Sequence, residues 1–456
     1  MRVQSSPLSS LGDGLSNLSL SSHNKPQAPH RVLIVGCAYG GISALVNLLD
    51  LAQGKQRDAV YPVPDMKGRK TRNGVEITVI DERDGYFHAV GAPLAHVTPK
   101  HTSSMWKRFS HIKEFRQSNL KFKHGSVKRL DPEAKVAEWV DRGGRTQQHV
   151  YDYAIVATGL RRQWPAVPKS GSYREFLEDG SELVGRITGY SKNHKGRHVV
   201  VIGAGAVGVE FAGEIRNHYP DISVTLIHSR SEVLSSEPLP SEVKEKAKSL
   251  LEEEGVKLVL GQRASVKELD NKSYEVTLAN GDVLTADAVI DATTKGFATT
   301  GFLPDACLNT DQEIKITPNL QFQSGIANST AHFAVGDVVE WSGIKRAGGA
   351  MVMGQLAASN VYASILNAEA ADDLRLAELP EYPNVIGLAV GKQCLTYDKQ
   401  SGMKWGEELM KAYFQDDLGW AANLRYLRLT DVDDEVAKEP RVQVVQIAAE
   451  PVTAAA

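Results

Sequence analysis

The stretch Val199-Val200-Val201-Ile202-Gly203-Ala204-Gly205-Ala206-Val207-Gly208-Val209-Glu210 decides the fold. An apolar run stops at a glycine-rich turn and continues as a helix, the strand, turn and helix of a dinucleotide-binding βαβ unit. In this design one glycine makes the turn, one lets the backbone approach a pyrophosphate, and one lets helix pack on strand. The unpaired N–H groups of the helix start face the anion. The same design occurs earlier, where Val32-Leu33-Ile34-Val35 leads into Gly36-Cys37-Ala38-Tyr39-Gly40-Gly41, with Ala38 at the middle glycine's place. Two such turns, each after a strand and before a helix, imply two bound dinucleotides.

Outward from the turns, the chain repeats itself at an offset of about 165 residues, too long for a solenoid and suited to a duplicated domain. In the first copy Ile42 to Leu51 is helical, and Val75 to Ile80 is a strand ending in Asp81, an acid where a ribose diol needs one. The usual spacing to that acid is about 20 residues. Here a polar insert, 52–74, lengthens it and reads as a surface loop. Val127 lies at a short strand and turn, and Tyr153 to Val156 is a buried strand leading into Ala157-Thr158-Gly159. The second copy has a strand at Val224 to His228, a charged helix from Ser241 to Glu254, a hairpin turning at Asn280-Gly281, and Ala288 to Thr293 echoing Ala154 to Thr158. Ala331 to Asp337 then ends a strand in Gly336-Asp337, and Ala347 to Leu366 is a helix of small residues. From Glu378 the pattern reads as strands carrying Trp405, Trp420 and Tyr426.

The expected architecture is therefore α/β: two Rossmann-like dinucleotide-binding domains of the glutathione-reductase type and a small α+β C-terminal domain. Residues 1–29 are read as a disordered tail, 30–160 with 291–375 as a discontinuous FAD-binding domain, 161–290 as the NAD(P)H-binding domain, and 376–456 as the C-terminal domain. Leucines 8, 11, 15, 18 and 20 in the tail recur at roughly helical spacing, but a serine-rich composition with glycines inside the pattern favours a solvated segment.

Composition excludes several classes. The 456 residues carry a net charge of −3, so no polyelectrolyte partner is announced and nucleic acid is not expected. Three cysteines, at 37, 307 and 394, have no metal-ligand or CxxC spacing, which fits a reducing compartment, and no metal is expected. No apolar run reaches the roughly 18 residues of a membrane span. Localisation is read as cytoplasmic, with peripheral membrane contact or a mitochondrial site left open, and the assembly as monomer or homodimer.

The order of the first glycine turn, Ala157-Thr158-Gly159, the second turn, and Gly336-Asp337 before a helix resembles the two-dinucleotide-binding-domain flavoproteins. Within them it is most similar to the apoptosis-inducing-factor-like group, which includes the ferroptosis suppressor protein and is related to type II NADH dehydrogenases. The resemblance covers about residues 30 to 370. It implies that the first unit holds FAD, with Gly36, Ala38, Tyr39, Gly40 and Gly41 at the pyrophosphate and Asp81 at the ribose. It further implies that Asp337 meets the ribityl chain or pyrophosphate, and that Gly203, Gly205 and Gly208 hold NAD(P)H. Lys345 matches a lysine lying close to the flavin, or is an exposed loop charge; Glu210 matches a glutamate near the nicotinamide, or is a helix-start carboxylate.

The related disulfide reductases carry a redox cysteine pair beside the flavin, and Asp81 to Lys100 contains no cysteine, which removes dithiol chemistry. What remains is a flavin that takes hydride from NAD(P)H and passes electrons directly to an acceptor, read as quinone-like. Two other readings stay open: a tailoring oxidoreductase for one small metabolite, and an NADH-sensing regulatory flavoprotein. His228-Ser229-Arg230, with Glu232 further on, stands where NAD enzymes place an acid, which leans towards tolerance of NADPH through Arg230, or leaves Arg230 solvated. Tyr86, Phe87, His88, Pro93 and His96 either border the acceptor or pack in the core.

Overall fold

A computed structural model describes residues 28–293, 296–370 and 373–432. The leucine pattern at the amino end and residues 433–456 lie outside the described residues.

The uninterrupted apolar runs become strands covered on both faces, as parallel strands must be. His30–Val35 pairs in parallel with Val75–Asp81 on one side, Val32 against Ile77, and with Tyr153–Val156 on the other, Val32 against Tyr153. His332–Ala334 extends this sheet beyond Tyr153–Val156, and Leu120–Asp131 extends it beyond Val75–Asp81. Two antiparallel strands, Val136–Asp141 and Thr146–Val150, complete seven. The chain thus leaves its first strand towards one edge and returns later to the other side. That reversal opens a crevice beyond the carboxyl ends of the strands, the usual ligand position in such sheets.

The second unit repeats the plan with four parallel strands in the order Lys257–Leu260, Ser223–His228, His198–Ile202, Ala288–Asp291. An antiparallel sheet of Ala264–Glu268, Tyr274–Leu278 and Val283–Ala286 covers it. The two Rossmann-like units expected from the sequence are present.

Helix Tyr39–Ala52 is buried nearly all round because helix Ala347–Ala370 crosses it closely. A Cβ at Gly354 would lie 2.2 Å from the Gly40 carbonyl, so the small residues of the later helix are what allow the approach. Ser43 Oγ seals the crossing by donating to the Met351 carbonyl at 2.7 Å.

The insert 52–74 is irregular, as expected of a loop, but it is pinned at several points. Met66 is fully buried, and Arg57 donates to Asp50 at 2.6 Å and to the Leu427 carbonyl at 2.7 Å. Gln355 Nε2 donates to the Asp58 carbonyl at 2.8 Å.

The carboxy-terminal reading needs correcting in one respect. Ile386–Val390, Gln393–Asp398 and Gly402–Gly406 form an antiparallel meander that includes Trp405, but Trp420 and Tyr426 lie in a helix, Trp420–Leu427. Trp420 is buried there against Tyr86 and His88, at ring distances of 5.1 and 5.2 Å. Leu388, Val390 and Leu395 of the meander instead join the core of the second dinucleotide unit. The segment therefore spans both units, and Trp420 sits in helix because its burial against Tyr86 and His88 outweighs a modest strand preference, while Tyr426 on the same helix stays exposed.

Candidate active site

The two glycine turns face a common cleft of about 1310 Å³. Ordinary small-molecule sites occupy roughly 300–1,000 Å³. Gly36 and Gly203 open the turns with φ of +88° and +102°. A Cβ would stand 2.7 Å from the Ala157 carbonyl oxygen at Gly36 and 2.5 Å from that of Ala292 at Gly203. The echo between Ala157-Thr158 and Ala292-Thr293 therefore has a physical cause, because each pair backs its own turn. Gly41 and Gly208 do not line the cleft; they let each helix start rest on its strand, a Cβ there falling 1.9 and 1.8 Å from the carbonyls of Gly36 and Gly203.

Both helices lack a side-chain cap, the cap positions being Ala38 and Gly205. Their first N–H groups are left for an outside acceptor, and the helix dipole adds favourable potential for an anion. Nothing lies within 4 Å of a Cβ built on Gly205, so the space over that turn is clear. Two uncapped helix starts behind two glycine turns, in one cleft, fit two pyrophosphates.

Asp81 is at the end of its strand as anticipated, and both carboxylate oxygens accept backbone N–H groups, from Cys37 at 2.5 Å and Arg83 at 2.7 Å. Each oxygen keeps a further lone pair, and Asp81 lines the cleft. Burial raises its pKa, opposed by Arg83 and the two N–H groups. Val127 and Ala157-Thr158-Gly159 line the same side. Thr158 is fixed by donating to the Thr299 carbonyl at 3.1 Å, and Thr299 donates to that of Gly159 at 2.9 Å.

Tyr39 lies deep in the cleft and begins a hydrogen-bonded chain that the sequence gives no sign of. Its hydroxyl accepts from the Val90 N–H at 3.0 Å and meets His88 Nδ1 at 3.0 Å, while His88 Nε2 meets the Leu418 carbonyl at 2.9 Å. The carbonyl can only accept, so Nε2 carries the proton, Nδ1 accepts, and Tyr39 donates. Burial pushes the imidazole down to about 4, so this neutral form holds through the physiological range. Among the aromatic candidates, Tyr86, His88 and His96 are wholly buried and pack in the core, whereas Phe87 reaches the cleft wall.

Gly336 and Asp337 sit where the first sheet ends, before helix Ala347–Ala370. Burial raises the Asp337 pKa, while Arg162 and Lys345 oppose the rise. Lys345 lines the cleft, but its ammonium is not free: it is ion-paired with Glu313 and donates to the Asp337 carbonyl at 2.6 Å. Across the cleft, Glu210 is buried and its carboxyl is raised to about 8, chiefly by loss of hydration and further by Glu214, with the Ala389 N–H and Arg162 opposing. Arg162 thus acts on a carboxylate from each unit. Neither Glu313 nor Arg162 carries a sequence signal, because their roles depend on which loops meet. Arg230 is the one expected site residue that is neither in the cleft wall nor behind it; it is exposed, with Nη1 3.5 Å from the Ser235 carbonyl.

Among the described residues no cluster could hold a metal ion, and no helix is long and apolar enough to cross a membrane.

Two Rossmann-like units sharing one cleft, with an uncapped glycine turn in each, define a dinucleotide-dependent oxidoreductase. The chain belongs to the pyridine nucleotide-disulphide oxidoreductase family, whose model matches residues 30–354. Oxidoreductase OXR1 of Ajellomyces capsulatus is 39% identical over 425 residues, 91% of each chain. Ferroptosis suppressor protein 1 of Xenopus tropicalis is 28% identical over 349 residues, covering 74% of this chain and 81% of that one. The solved structure of NDH2 from Plasmodium falciparum in complex with NADH superimposes with a TM-score of 0.62 at 14% identity, covering 88% of this chain and 97% of that one, which shows a common fold. The resemblance read from the motifs is borne out. FAD and NAD(P)H are the cofactors, and the chain is an NAD(P)H-dependent flavin oxidoreductase.

Proposed function

We propose that the chain passes electrons from NAD(P)H to a quinone-like acceptor without a thiol relay. The observation that carries this reading is that all three cysteines are buried and unpaired. Burial raises the thiol pKa at Cys37, Cys307 and Cys394, so none is a ready thiolate. With no dithiol to carry them, the electrons go directly to an outside acceptor. The cleft wall includes Phe87, Val90, Val207, Ile344, Val385 and Ile386, an apolar surface that suits a planar ring.

Bound FAD supplies the hydride-accepting and electron-releasing chemistry. In this reading the helix start at Ala38, Tyr39 and Gly40, opened by Gly36 and packed through Gly41, holds its pyrophosphate. Asp81 takes the ribose, and Val127 with Ala157, Thr158 and Gly159 forms the wall of that half. Gly336 and Asp337 approach the ribityl end, and Lys345 offers positive charge where the reduced ring gathers negative charge. Gly203, Gly205 and Gly208 hold the nicotinamide dinucleotide, and Glu210, protonated below about pH 8, stands beside the hydride path as a neutral donor.

Anaerobic stopped-flow absorbance tests the reading. NAD(P)H should bleach the flavin, and menadione or a short-chain ubiquinone should restore it rapidly. A reduced flavin that persists with quinone present overturns the quinone assignment.

A further inference from the structure

The adenosine end of the second dinucleotide site contains an arrangement that separates NADPH from NADH. NAD-specific sites place an acid at the end of the second strand to accept hydrogen bonds from the ribose diol, and NADP sites place cations for the 2′-phosphate. Here the strand Ser223–His228 ends in a histidine that is already committed. His228 Nδ1 accepts from the Ala204 N–H of the glycine turn at 3.2 Å, and Nε2 lies 2.9 Å from Ser235 Oγ. Its imidazole pKa is lowered by burial and by the nearby Arg230, so it stays neutral at pH 7. Nδ1 accepts, so Nε2 is the donor to the serine oxygen. The Ser235 hydroxyl proton is then free to point elsewhere, and Ser235 lines the cleft.

Neither of the nearby acidic side chains stands at the strand end itself. Glu232 is ion-paired with Lys244 at 3.2 Å. Glu237 also lines the cleft, but nine positions beyond the strand end, in a turn where its backbone N–H donates to the Leu234 carbonyl at 2.9 Å.

Positive charge comes from a different loop. The Gly261 N–H donates to the Arg230 carbonyl and the Gln262 N–H to that of His228, both at 2.9 Å, which seats loop 261–263 against the strand end. Arg263, the next residue, lines the cleft and is exposed. Among the described residues its guanidinium has no carboxylate partner. Arg230, the cation suggested by position in the sequence, lies outside the cleft wall beside it.

We infer that this site selects NADPH, with the Arg263 guanidinium as the main partner of the 2′-phosphate and Ser235, oriented by His228, as a second donor. The inference rests on the flavin-reductase reading and adds the identity of the reductant. Arg263 supplies charge-assisted hydrogen bonds to a phosphate dianion, and NADH offers nothing to pair with it. His228 is a positioning residue: it holds the turn through Ala204 and aims Ser235.

The test uses the FAD-loaded full chain, with rates of flavin bleaching and dissociation constants measured for NADPH and NADH, and for 2′-phosphorylated and unphosphorylated adenosine ribose fragments. NADPH should be favoured at least tenfold. Arg263→Ala should weaken NADPH by about 10- to 100-fold, the range for hydrogen bonds to a charged group, and leave NADH within about threefold. Arg230→Ala should cost NADPH less, through long-range charge alone, and that loss should shrink as salt is raised. His228→Asp, whose carboxylate can still accept from Ala204, should move the preference towards NADH. If NADH is used equally or better, or if Arg263→Ala weakens both nucleotides alike, the inference fails while the flavin-reductase reading stands. If neither nucleotide bleaches the flavin, that reading itself fails and takes the inference with it.

Discussion

Replacing Glu210 by glutamine should change how stability responds to pH more than it changes stability itself. The carboxyl is raised to about 8, chiefly by burial. An unfolded glutamate titrates near 4.3. Between these values the folded protein keeps a proton that the unfolded chain has released, so the folded state binds more protons and stability falls as pH rises. The displacement of between three and four pKa units corresponds to roughly 4–5 kcal/mol at about 1.36 kcal/mol per unit. Allowing for water entry and relaxation, about 3–5 kcal/mol is expected. The glutamine keeps the shape and stays neutral, so it loses nothing over this window. A chain of this length has an unfolding entropy of about 1 kcal/mol/K, so the apoprotein midpoint should fall about 3–5 °C relative to Glu210→Gln between pH 5 and pH 8. Above pH 8 the gap should stop growing, because both states are then ionised. Paired thermal scans at pH 5, 6.5, 8 and 9 measure it. A gap independent of pH would refute the claim that Glu210 is held protonated by its surroundings.

Gly208→Ala should lower the midpoint, since a Cβ 1.8 Å from the Gly203 carbonyl forces helix from strand at a cost of about 1–3 kcal/mol. Gly205→Ala, with open space at the same distance, should leave the midpoint unchanged or slightly raised, and equal losses would refute the division of roles. Trp420→Ala should cost about 3–5 kcal/mol by emptying the space against Tyr86 and His88, read as earlier proteolysis of residues 407–432; unchanged protection would mean the helix is held by other contacts. Replacing all three cysteines by alanine should leave quinone reduction within about threefold at equal FAD content, and a larger loss would reinstate a thiol step.

The parts of this protein that sequence made legible are those where one local rule acts alone. Val32 to Val35 and Val199 to Ile202 are apolar without interruption because both faces of a parallel strand are covered, and the spacing from Gly36 to Gly41 repeats from Gly203 to Gly208 because the same backbone approach occurs twice. Other features depend on distant partners. Trp420 looks like a strand residue until Tyr86 and His88 are seen beneath it, more than 300 positions earlier. Lys345 reads as a free cation because Glu313, its partner, belongs to another loop. Arg230 stands at the position a motif would select, but the direction of its side chain is set by the fold around it, and the neighbouring loop brings Arg263 to the wall instead. A spacing rule locates a backbone, and it does not say where a long side chain ends.

The carboxy-terminal segment bears on when the enzyme becomes an enzyme. The Ala389 N–H of the meander donates to Glu210, and the Leu418 carbonyl accepts a hydrogen bond from His88 Nε2, so the last described elements close contacts with residues translated long before. Synthesis runs at about 5–20 residues per second and domains form as they emerge. The first unit is itself completed only by strand His332–Ala334 and helix Ala347–Ala370, so the last parts of the cleft and the segment that bridges the units emerge close together at the end of synthesis. A chain cut short before residue 386 lacks the Glu210 and His88 contacts and is expected to bleach its flavin with NAD(P)H more slowly than the full chain, a comparison that stopped-flow absorbance makes.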